Sequence, residues 1–262
     1  MLRPALTIAA IVALLYLGCC LLLYAFQRSL IYFPHPPSPN PEGTSALILR
    51  TEGREGIEVQ VTVRPAAGAE AVVYFGGNAE DTNRSLPDLE AAFPRHALYL
   101  MHYRGYGASG GTPSEKGLVA DALALFDQIR SEHAEVTAVG RSLGSGVAIQ
   151  LAAARPVDRL ILVTPYDSLV GIAAAHYAAF PIPWLMRDKF ESFRYAPKVA
   201  VSTLLLEAEN DEVVPKASTE ALYRRFSPGH ATLRIVPGRG HNTIQESPEY
   251  VPALAGAVEL KR

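Results

Sequence analysis

Ser142 of this chain has the residue type and the setting that nucleophilic acyl transfer requires. It lies in the segment G-R-S-L-G at residues 140–144, between an apolar strand-like run and an apolar helical run. A serine on such a tight turn exposes its hydroxyl, and the flanking glycines allow two backbones to approach closely. Ser142 is therefore the predicted nucleophile. The competing interpretation is an ordinary glycine-rich turn between a strand and a helix.

A reactive serine needs a histidine as general base and a carboxylate that orients the imidazole. Asp211 lies a few residues after the strand-like run around Leu206, and His241 lies just after the run that ends near Val236. An acid and a base that follow the serine in the chain belong at the carboxyl ends of later strands. We predict His241 as the base and Asp211 as the acid. Asp167, which also follows a predicted strand, is the alternative acid.

The negative charge that develops on the substrate oxygen needs two hydrogen-bond donors. One is the backbone N–H of the residue after the nucleophile, here Leu143, and the other comes from a loop after an earlier strand. The turn F-G-G-N-A at residues 75–79 follows a predicted strand and is rich in glycine. We predict Asn78 as the second donor, with Gly77 as the alternative. A plain turn is the competing interpretation, since glycine and asparagine are common turn residues.

Strand-like runs alternate with helical patterns from residue 45 onward, which predicts an α/β fold with a mostly parallel sheet of eight strands and helices on both faces. The first two runs alternate in polarity, as antiparallel strands at a sheet edge do. The predicted strands are residues 46–49, 57–63, 71–75, 97–101, 136–139, 160–164, 203–206 and 233–236. Helices are predicted between these strands, and the clearest of them has Thr112 as its N-cap, Pro113 in its first position and Glu115 completing a capping box.

The segment between the sixth and seventh predicted strands, residues 166–198, is too long for a simple crossover and is predicted to form a short cap. It is rich in alanine and in larger apolar side chains, Trp184 among them, which we expect in its interior. A hydrophobic acyl group could lie beneath such a cap. The alternative is that these side chains only pack the cap onto the core.

Residues 4–27 carry no charged side chain, and this stretch is long enough to span a bilayer as a helix. We predict a transmembrane anchor over residues 1–27. A cleaved secretory signal is the alternative, although its apolar core is usually shorter. Residues 28–44, which include F-P-H-P-P-S-P-N-P, are predicted to form a stiff tether, and residues 45–262 the catalytic domain. Positive charges flank the anchor on both sides, and we expect the catalytic domain outside the cytoplasm.

The composition of the 262-residue chain restricts its partners. The formal net charge is -2 and no long run of like charges occurs, so no nucleic-acid partner is expected. Cys19 and Cys20 are the two cysteines, and both lie in the apolar segment, so the domain after it can form neither a disulfide nor a cysteine-ligated metal site. Acylation of either cysteine stays open. The histidines show no metal-ligand spacing, and no metal or other cofactor is expected.

With these motifs the chain resembles the α/β-hydrolase superfamily, in particular the small membrane-anchored serine hydrolases that include ABHD-type protein depalmitoylases and bacterial serine-aminopeptidase-like hydrolases. The resemblance is carried by the segments Q-R-S-L-I-Y-F-P at residues 27–34, Y-R-G-Y-G at 103–107, G-R-S-L-G at 140–144, N-D-E-V-V-P at 210–215 and G-H-N at 240–242. It implies the α/β-hydrolase fold. It also implies the triad roles of Ser142, Asp211 and His241 and the oxyanion roles of Asn78 and Leu143.

Two positions depart from the pattern of the superfamily. Relatives commonly have His-Gly where this chain has Gly76 and Gly77, in the loop of the predicted second oxyanion donor. His102 stands where an aspartate often precedes Y-R-G-Y-G, which we interpret as variation in the scaffold.

Taken together, these features predict a serine hydrolase that cleaves an acyl ester or thioester of a hydrophobic substrate through an acyl-enzyme intermediate. An aminopeptidase-like peptide hydrolase is one alternative, because the same triad chemistry cleaves amides and the fold does not choose between them. The other alternative is a membrane-tethered binding protein without catalytic activity.

Overall fold

The computed structural model describes residues 2–51 and 56–259 of the chain. Within these ranges eight strands form one sheet in the order β1-β2-β4-β3-β5-β6-β7-β8. The strands are β1 (Ser45–Arg50), β2 (Glu58–Arg64), β3 (Glu70–Phe75), β4 (Ala97–Met101), β5 (Glu135–Arg141), β6 (Arg159–Val163), β7 (Thr203–Ala208) and β8 (Ala231–Val236). The β1–β2 and β2–β4 pairs are antiparallel, and every other pair is parallel. The predicted fold class is confirmed.

Helices cover both faces of the sheet. The helices of the described residues are α1 (Leu2–Ile31), α2 (Leu86–Ala92), α3 (Glu115–Arg130), α4 (Leu143–Ala154), α5 (Leu169–His176), α6 (Ile182–Leu185), α7 (Lys216–Tyr223) and α8 (Tyr250–Glu259). Along β3, Val73 and Phe75 pack in one core with α3 and α4, whereas Val72 and Tyr74 pack in a second core with α2 and α8. Successive strand side chains point to opposite faces. The central strands are therefore buried on both sides.

The start of α3 differs from the prediction. Ser114, not Thr112, is the N-cap, and its side-chain oxygen accepts the Gly117 N–H at 3.1 Å. Glu115 is then the first residue of the helix, too early to complete a capping box, which needs the carboxylate at the third helical position. The Glu115 carboxylate instead accepts the backbone N–H groups of Lys189 and Phe190. It thus joins α3 to the end of the cap.

The cap between β6 and β7 consists of α5, α6 and two 3-10 turns, Ser192–Arg194 and Ala196–Lys198. Its interior differs from the expectation at Trp184, whose side chain is 90% exposed. The single helical turn of α6 explains this, because Ile182 and Met186, four residues apart, share its buried side. Trp184, two residues after Ile182, lies on the opposite side of that turn.

Helix α1 is the one described helix that is long and apolar enough to cross a membrane. The most apolar 18 consecutive residues within Arg3–Ile31 have a mean hydropathy of 2.7, and most of their side chains are exposed. A signal sequence near an N-terminus would have the same properties. The helix continues to Ile31, four residues past the predicted end of the anchor at residue 27, and it ends where the proline-rich segment begins.

Candidate active site

The turn between β5 and α4 holds Ser142 in a conformation that most residues avoid. Its φ of 50° and ψ of −117° lie outside the regions favoured by L-residues. Two glycines allow this turn to pack. A Cβ on Gly140 would meet the backbone of Gly144, and a Cβ on Gly144 would meet the carbonyl of Phe75. The sharp turn lifts the Ser142 hydroxyl above the carboxyl edge of the sheet, next to the first turn of α4.

The structure brings the three residues of the predicted triad into contact. The Nε2 atom of His241 lies 2.9 Å from the Oγ of Ser142, and its Nδ1 lies 2.9 Å from Oδ2 of Asp211. The other carboxylate oxygen of Asp211 accepts the N–H groups of Val213 and Val214. The His241 and Asp211 side chains are each 5% exposed. This order of contacts lets an imidazole take the serine proton while a fixed carboxylate stabilises the resulting positive charge.

The alternative acid, Asp167, has a different role in the structure. Its Oδ1 accepts the hydroxyl of Ser218 at 2.6 Å and the N–H of Ser168 at 2.7 Å. The contact with Ser218 joins the start of the cap to α7, and the contact with Ser168 lies within the cap. The oxygens that lie within hydrogen-bond distance of His241 Nδ1 belong to Asp211.

The two predicted oxyanion donors lie on either side of Ser142. Leu143 begins α4, so its N–H has no partner within the helix. On the other side the loop after β3 passes close by, since a Cβ on Gly77 would lie 3.7 Å from that of Ser142. The N–H of Gly77, the alternative donor, is bonded to Glu80 at 2.7 Å. Within the described residues the backbone N–H of Asn78 has no such partner.

Two charged residues that the sequence analysis did not single out organise this edge of the sheet. Glu80 accepts hydrogen bonds from the Gly77 N–H, the Tyr74 hydroxyl, the Ser85 hydroxyl and Arg141. Arg141 also donates to the carbonyl oxygen of His241 at 3.3 Å. Burial, together with the Glu80 carboxylate, raises the pKa of Tyr74 well above its usual range, so its hydroxyl stays a donor.

The Glu80–Arg141 ion pair therefore connects the loop of Gly77 and Asn78, the turn of Ser142 and the loop of His241. The signal in the sequence was the opposite charges at these two positions: Glu80 follows Asn78 by two residues, and Arg141 directly precedes Ser142.

A cavity of about 510 Å3 opens beside Ser142 and His241. Its size is that of a small-molecule site. Its lining is mainly apolar and comes from the cap, from the loop after Asp211 and from the last turns of α1. The cap contributes Tyr166, Leu169, Ile172, Ala173, Tyr177, Ile182, Leu185 and Met186. The cap residues Leu169, Ile172 and Tyr177 were not among those predicted to face a substrate.

Three further side chains meet away from the triad. His35, Asp81 and His102 place ligand-type atoms within 4.8 Å of one another and could hold a metal ion. The sequence spacing of these histidines had indicated no such arrangement, because His35 belongs to the tether and His102 follows β4. Burial lowers the pKa of His102 to about 4, although the Asp81 carboxylate opposes this effect. His102 is therefore a neutral imidazole at pH 7, and one of its ring nitrogens contacts the hydroxyl of Thr62 at 2.9 Å.

Sequence comparison finds relatives over most of the chain. No family model matches it. It is 34% identical to an uncharacterized protein of Mycobacterium tuberculosis over 91% of this chain and 88% of that protein. It is 27% identical to an α/β-hydrolase domain-containing protein of Caenorhabditis elegans, over 87% of this chain and 69% of that protein.

A third relative is the lysophosphatidylserine lipase ABHD12 of Bos taurus, with 34% identity over 68% of this chain. The chain belongs to the α/β-hydrolase superfamily. It matches 53% of the length of the bovine lipase, so it spans about half of that protein.

Solved structures give the same fold for this α/β hydrolase. An esterase of Pyrococcus furiosus superposes with a TM-score of 0.70 over 87% of this chain and 98% of its own, at 16% identity. An α/β-hydrolase enzyme from a deep-sea metagenome superposes with a TM-score of 0.66 over 82% of this chain and 98% of its own, at 15% identity. At such low identity these structures establish the fold alone. The named relatives support a hydrolase enzyme.

Proposed function

We propose that this α/β hydrolase is a membrane-anchored serine esterase that cleaves an acyl ester or thioester of a hydrophobic substrate. The observation that carries the proposal is the continuous contact from Ser142 through His241 to Asp211, with 2.9 Å at each step. Contacts of this length are what proton transfer between a hydroxyl and an imidazole requires.

In the proposed reaction, the Oγ of Ser142 attacks the acyl carbon while Nε2 of His241 takes the hydroxyl proton. The N–H groups of Leu143 and Asn78 stabilise the oxyanion. The imidazolium then donates its proton to the leaving alcohol or thiol, which departs as the acyl-enzyme forms. Water attacks this ester with His241 again as base, and the acid and free Ser142 are released.

The choice of a hydrophobic acyl group is supported by the apolar cavity beside the nucleophile. It is also supported by the name of a relative, lysophosphatidylserine lipase, which describes an enzyme that acts on a lipid ester. We propose a lipid-like ester as the substrate class. An apolar cavity binds such a chain by removing its surface from water.

Cleavage of peptides from a free amino end is the second candidate function. An aminopeptidase needs a negative group to hold the substrate ammonium. Among the described residues that line the cavity, Glu80 is the one carboxylate, and Arg141 and three further donors already occupy it. The charge distribution of the cavity thus favours an ester over an amino-terminal amide.

A fluorophosphonate probe and p-nitrophenyl esters test the proposal together. We expect the detergent-solubilised wild-type protein to be labelled and to hydrolyse the esters, and Ser142→Ala to lose both activities. Ser131→Ala, which changes an exposed serine after α3, is the matched control and is expected to behave as wild type. A protein that is not labelled and cleaves no ester would instead support the binding-protein alternative, and faster cleavage of aminoacyl amides than of esters would support the peptidase.

A further inference from the structure

The last turns of the N-terminal helix α1 form part of the cavity wall. Leu23, Gln27, Leu30 and Ile31 line the cavity together with the cap. Leu23 and Ile31 pack against a buried cluster of cap residues, namely Val170, Ile182 and Met186. The same face of the helix therefore contacts both the cap and the space in which a substrate would lie.

Polar contacts fix α1 against the cap. The side-chain amide of Gln27 is buried, accepts the N–H of Arg187 at 2.6 Å and donates to the carbonyl of Leu185 at 3.1 Å. The next residue, Arg28, forms an ion pair with the buried Asp188 at 2.9 Å. Removal of one partner from such a buried set leaves the other unsatisfied, which makes the contact costly to break.

Nearer to the N-terminus of α1, Tyr16 stacks on Phe180 with ring centres 5.6 Å apart, and its hydroxyl donates to the carbonyl of Ala179. The contact between α1 and the cap therefore extends over several turns. The guanidinium of Arg187 also lies over the ring of Tyr24, 4.1 Å from its centre. The cavity is thus a cleft between a helix and a cap that are held together on both sides of it.

The end of α1 also contacts the oxyanion loop. The side-chain amide of Asn78 donates to the carbonyl of Ile31 at 3.1 Å, and the carbonyl of Asn78 accepts the N–H of Phe33 at 3.0 Å. The Tyr106 hydroxyl donates to the same carbonyl at 2.6 Å. Ile31 is therefore the cavity-lining residue of α1 that contacts the loop of Asn78.

We infer that α1 is a wall of the acyl-chain subsite, so that a long acyl chain lies along the helix from Ile31 toward Leu23 and contacts both the anchor and the cap. The inference rests on the proposed esterase function. Ile31 and Leu23 are eight residues apart, which places them about 12 Å apart along a helix that rises 1.5 Å per residue. Leu23 is thus at the end of the subsite that is remote from Ser142.

The rim of the cleft indicates where the chain enters. Leu30 on the helix and Tyr177 on the cap both line the cavity and are partly exposed. The helix that carries Leu30 is the one that is apolar enough to lie in a bilayer. The ligand class is accordingly an ester with a long saturated or unsaturated chain, which reaches the cleft from the lipid phase beside the anchor.

Substitutions at Leu23 test the subsite. The full-length protein in detergent micelles is assayed with p-nitrophenyl butanoate and p-nitrophenyl dodecanoate, and the ratio of the two kcat/KM values is compared. We expect Leu23→Trp to lower the dodecanoate-to-butanoate ratio by about tenfold, because the larger side chain removes space that only the longer chain uses. Leu23→Ala is assayed also with p-nitrophenyl hexadecanoate, and we expect it to raise the hexadecanoate-to-dodecanoate ratio of kcat/KM.

Leu22→Trp is the matched control, because Leu22 is on the same helix, is exposed and is not part of the cavity lining. A wild-type ratio in Leu22→Trp and a lower ratio in Leu23→Trp support the subsite. An unchanged ratio in Leu23→Trp and Leu23→Ala, or an equal change in Leu22→Trp, overturns the inference and leaves the esterase proposal intact. A wild-type protein that hydrolyses neither ester overturns both.

Discussion

Glu80 contacts several parts of the candidate site through one carboxylate. Its carboxylate binds the N–H of Gly77 at 2.7 Å and the guanidinium of Arg141 at 2.9 Å. The first contact fixes the loop that carries Asn78, and the second fixes the residue before Ser142. Hydrogen bonds to a charged group are stronger than neutral ones. We therefore propose Glu80 as a positioning residue for the predicted oxyanion donors.

We predict that Glu80→Ala lowers kcat for p-nitrophenyl esters by about tenfold to a hundredfold, because a displaced oxyanion donor weakens binding of the transition state. KM is expected to change much less, since the apolar cavity that binds the acyl chain remains. Steady-state kinetics on both constants checks this. Glu90→Ala, which removes a half-exposed carboxylate paired with Arg64, is the control. A rise in KM with unchanged kcat would show that Glu80 serves substrate binding instead.

The candidate site depends on the tight turn at Ser142, which connects β5 to α4. The backbone of Gly144 lies against the carbonyl of Phe75 at the end of β3, and Gly140 lies against Gly144. A neighbouring strand and a helix thus meet without any side chain between them. Even one added methyl group must displace backbone here, because the atoms that it would meet are not flexible side-chain ends.

We predict that Gly144→Ala destabilises the protein by about 3 kcal/mol or more, at the upper end of the usual cost of overpacking. Gly256→Ala is the matched control, because Gly256 lies in α8 and an added Cβ would meet nothing within 4 Å. Alanine in that helix is expected to stabilise it by about 0.5–1 kcal/mol. Thermal unfolding followed by circular dichroism compares the three proteins. A Gly144→Ala protein that unfolds at the wild-type temperature would contradict the crowding argument.

The whole molecule combines a hydrolase domain with an apolar helix that is docked onto its cap. Trp184 on the cap is 90% exposed and lies in the single turn of α6, which contacts α1. Tryptophan is enriched where a protein meets the interface of a bilayer. We propose that the apolar helix on one side of the cleft and the exposed tryptophan on the cap hold the domain at a membrane surface.

We predict that the protein stays in the membrane pellet after extraction with alkaline carbonate, and that its N-terminus keeps the apolar segment. The reason is that a helix of this length and hydropathy inserts stably. Fractionation and intact-mass measurement check both points. Release into the supernatant with a shortened N-terminus would identify a cleaved signal sequence. Digestion of the catalytic domain by protease added to intact cells is expected if the domain lies outside the cytoplasm, and protection would place it inside.

The strands, and the three residues Ser142, Asp211 and His241 that meet at the carboxyl edge of the sheet, could be predicted from the sequence because their signals are local. Apolar runs of strand length and the glycines around Ser142 can each be recognised within a few residues. Asp211 and His241 each follow such a run, in the chain order that this fold requires. The N-cap residue of α3 was mispredicted as Thr112 because Ser114 offers an equivalent side-chain oxygen two residues later. The Glu115 carboxylate binds backbone N–H groups of the cap between β6 and β7 and not the start of its own helix.

Other features were decided only when the chain folded. Glu80 and Arg141 are 61 residues apart, and Gln27 and Leu185 are 158 residues apart. A local sequence pattern cannot predict which distant residues will be in contact, because these contacts follow from the order of the strands in the sheet and from the packing of α1 on the cap. The candidate reacting groups could thus be selected from the order of residues along the chain. The shape of the cavity and the use of α1 as its wall came from packing between remote segments.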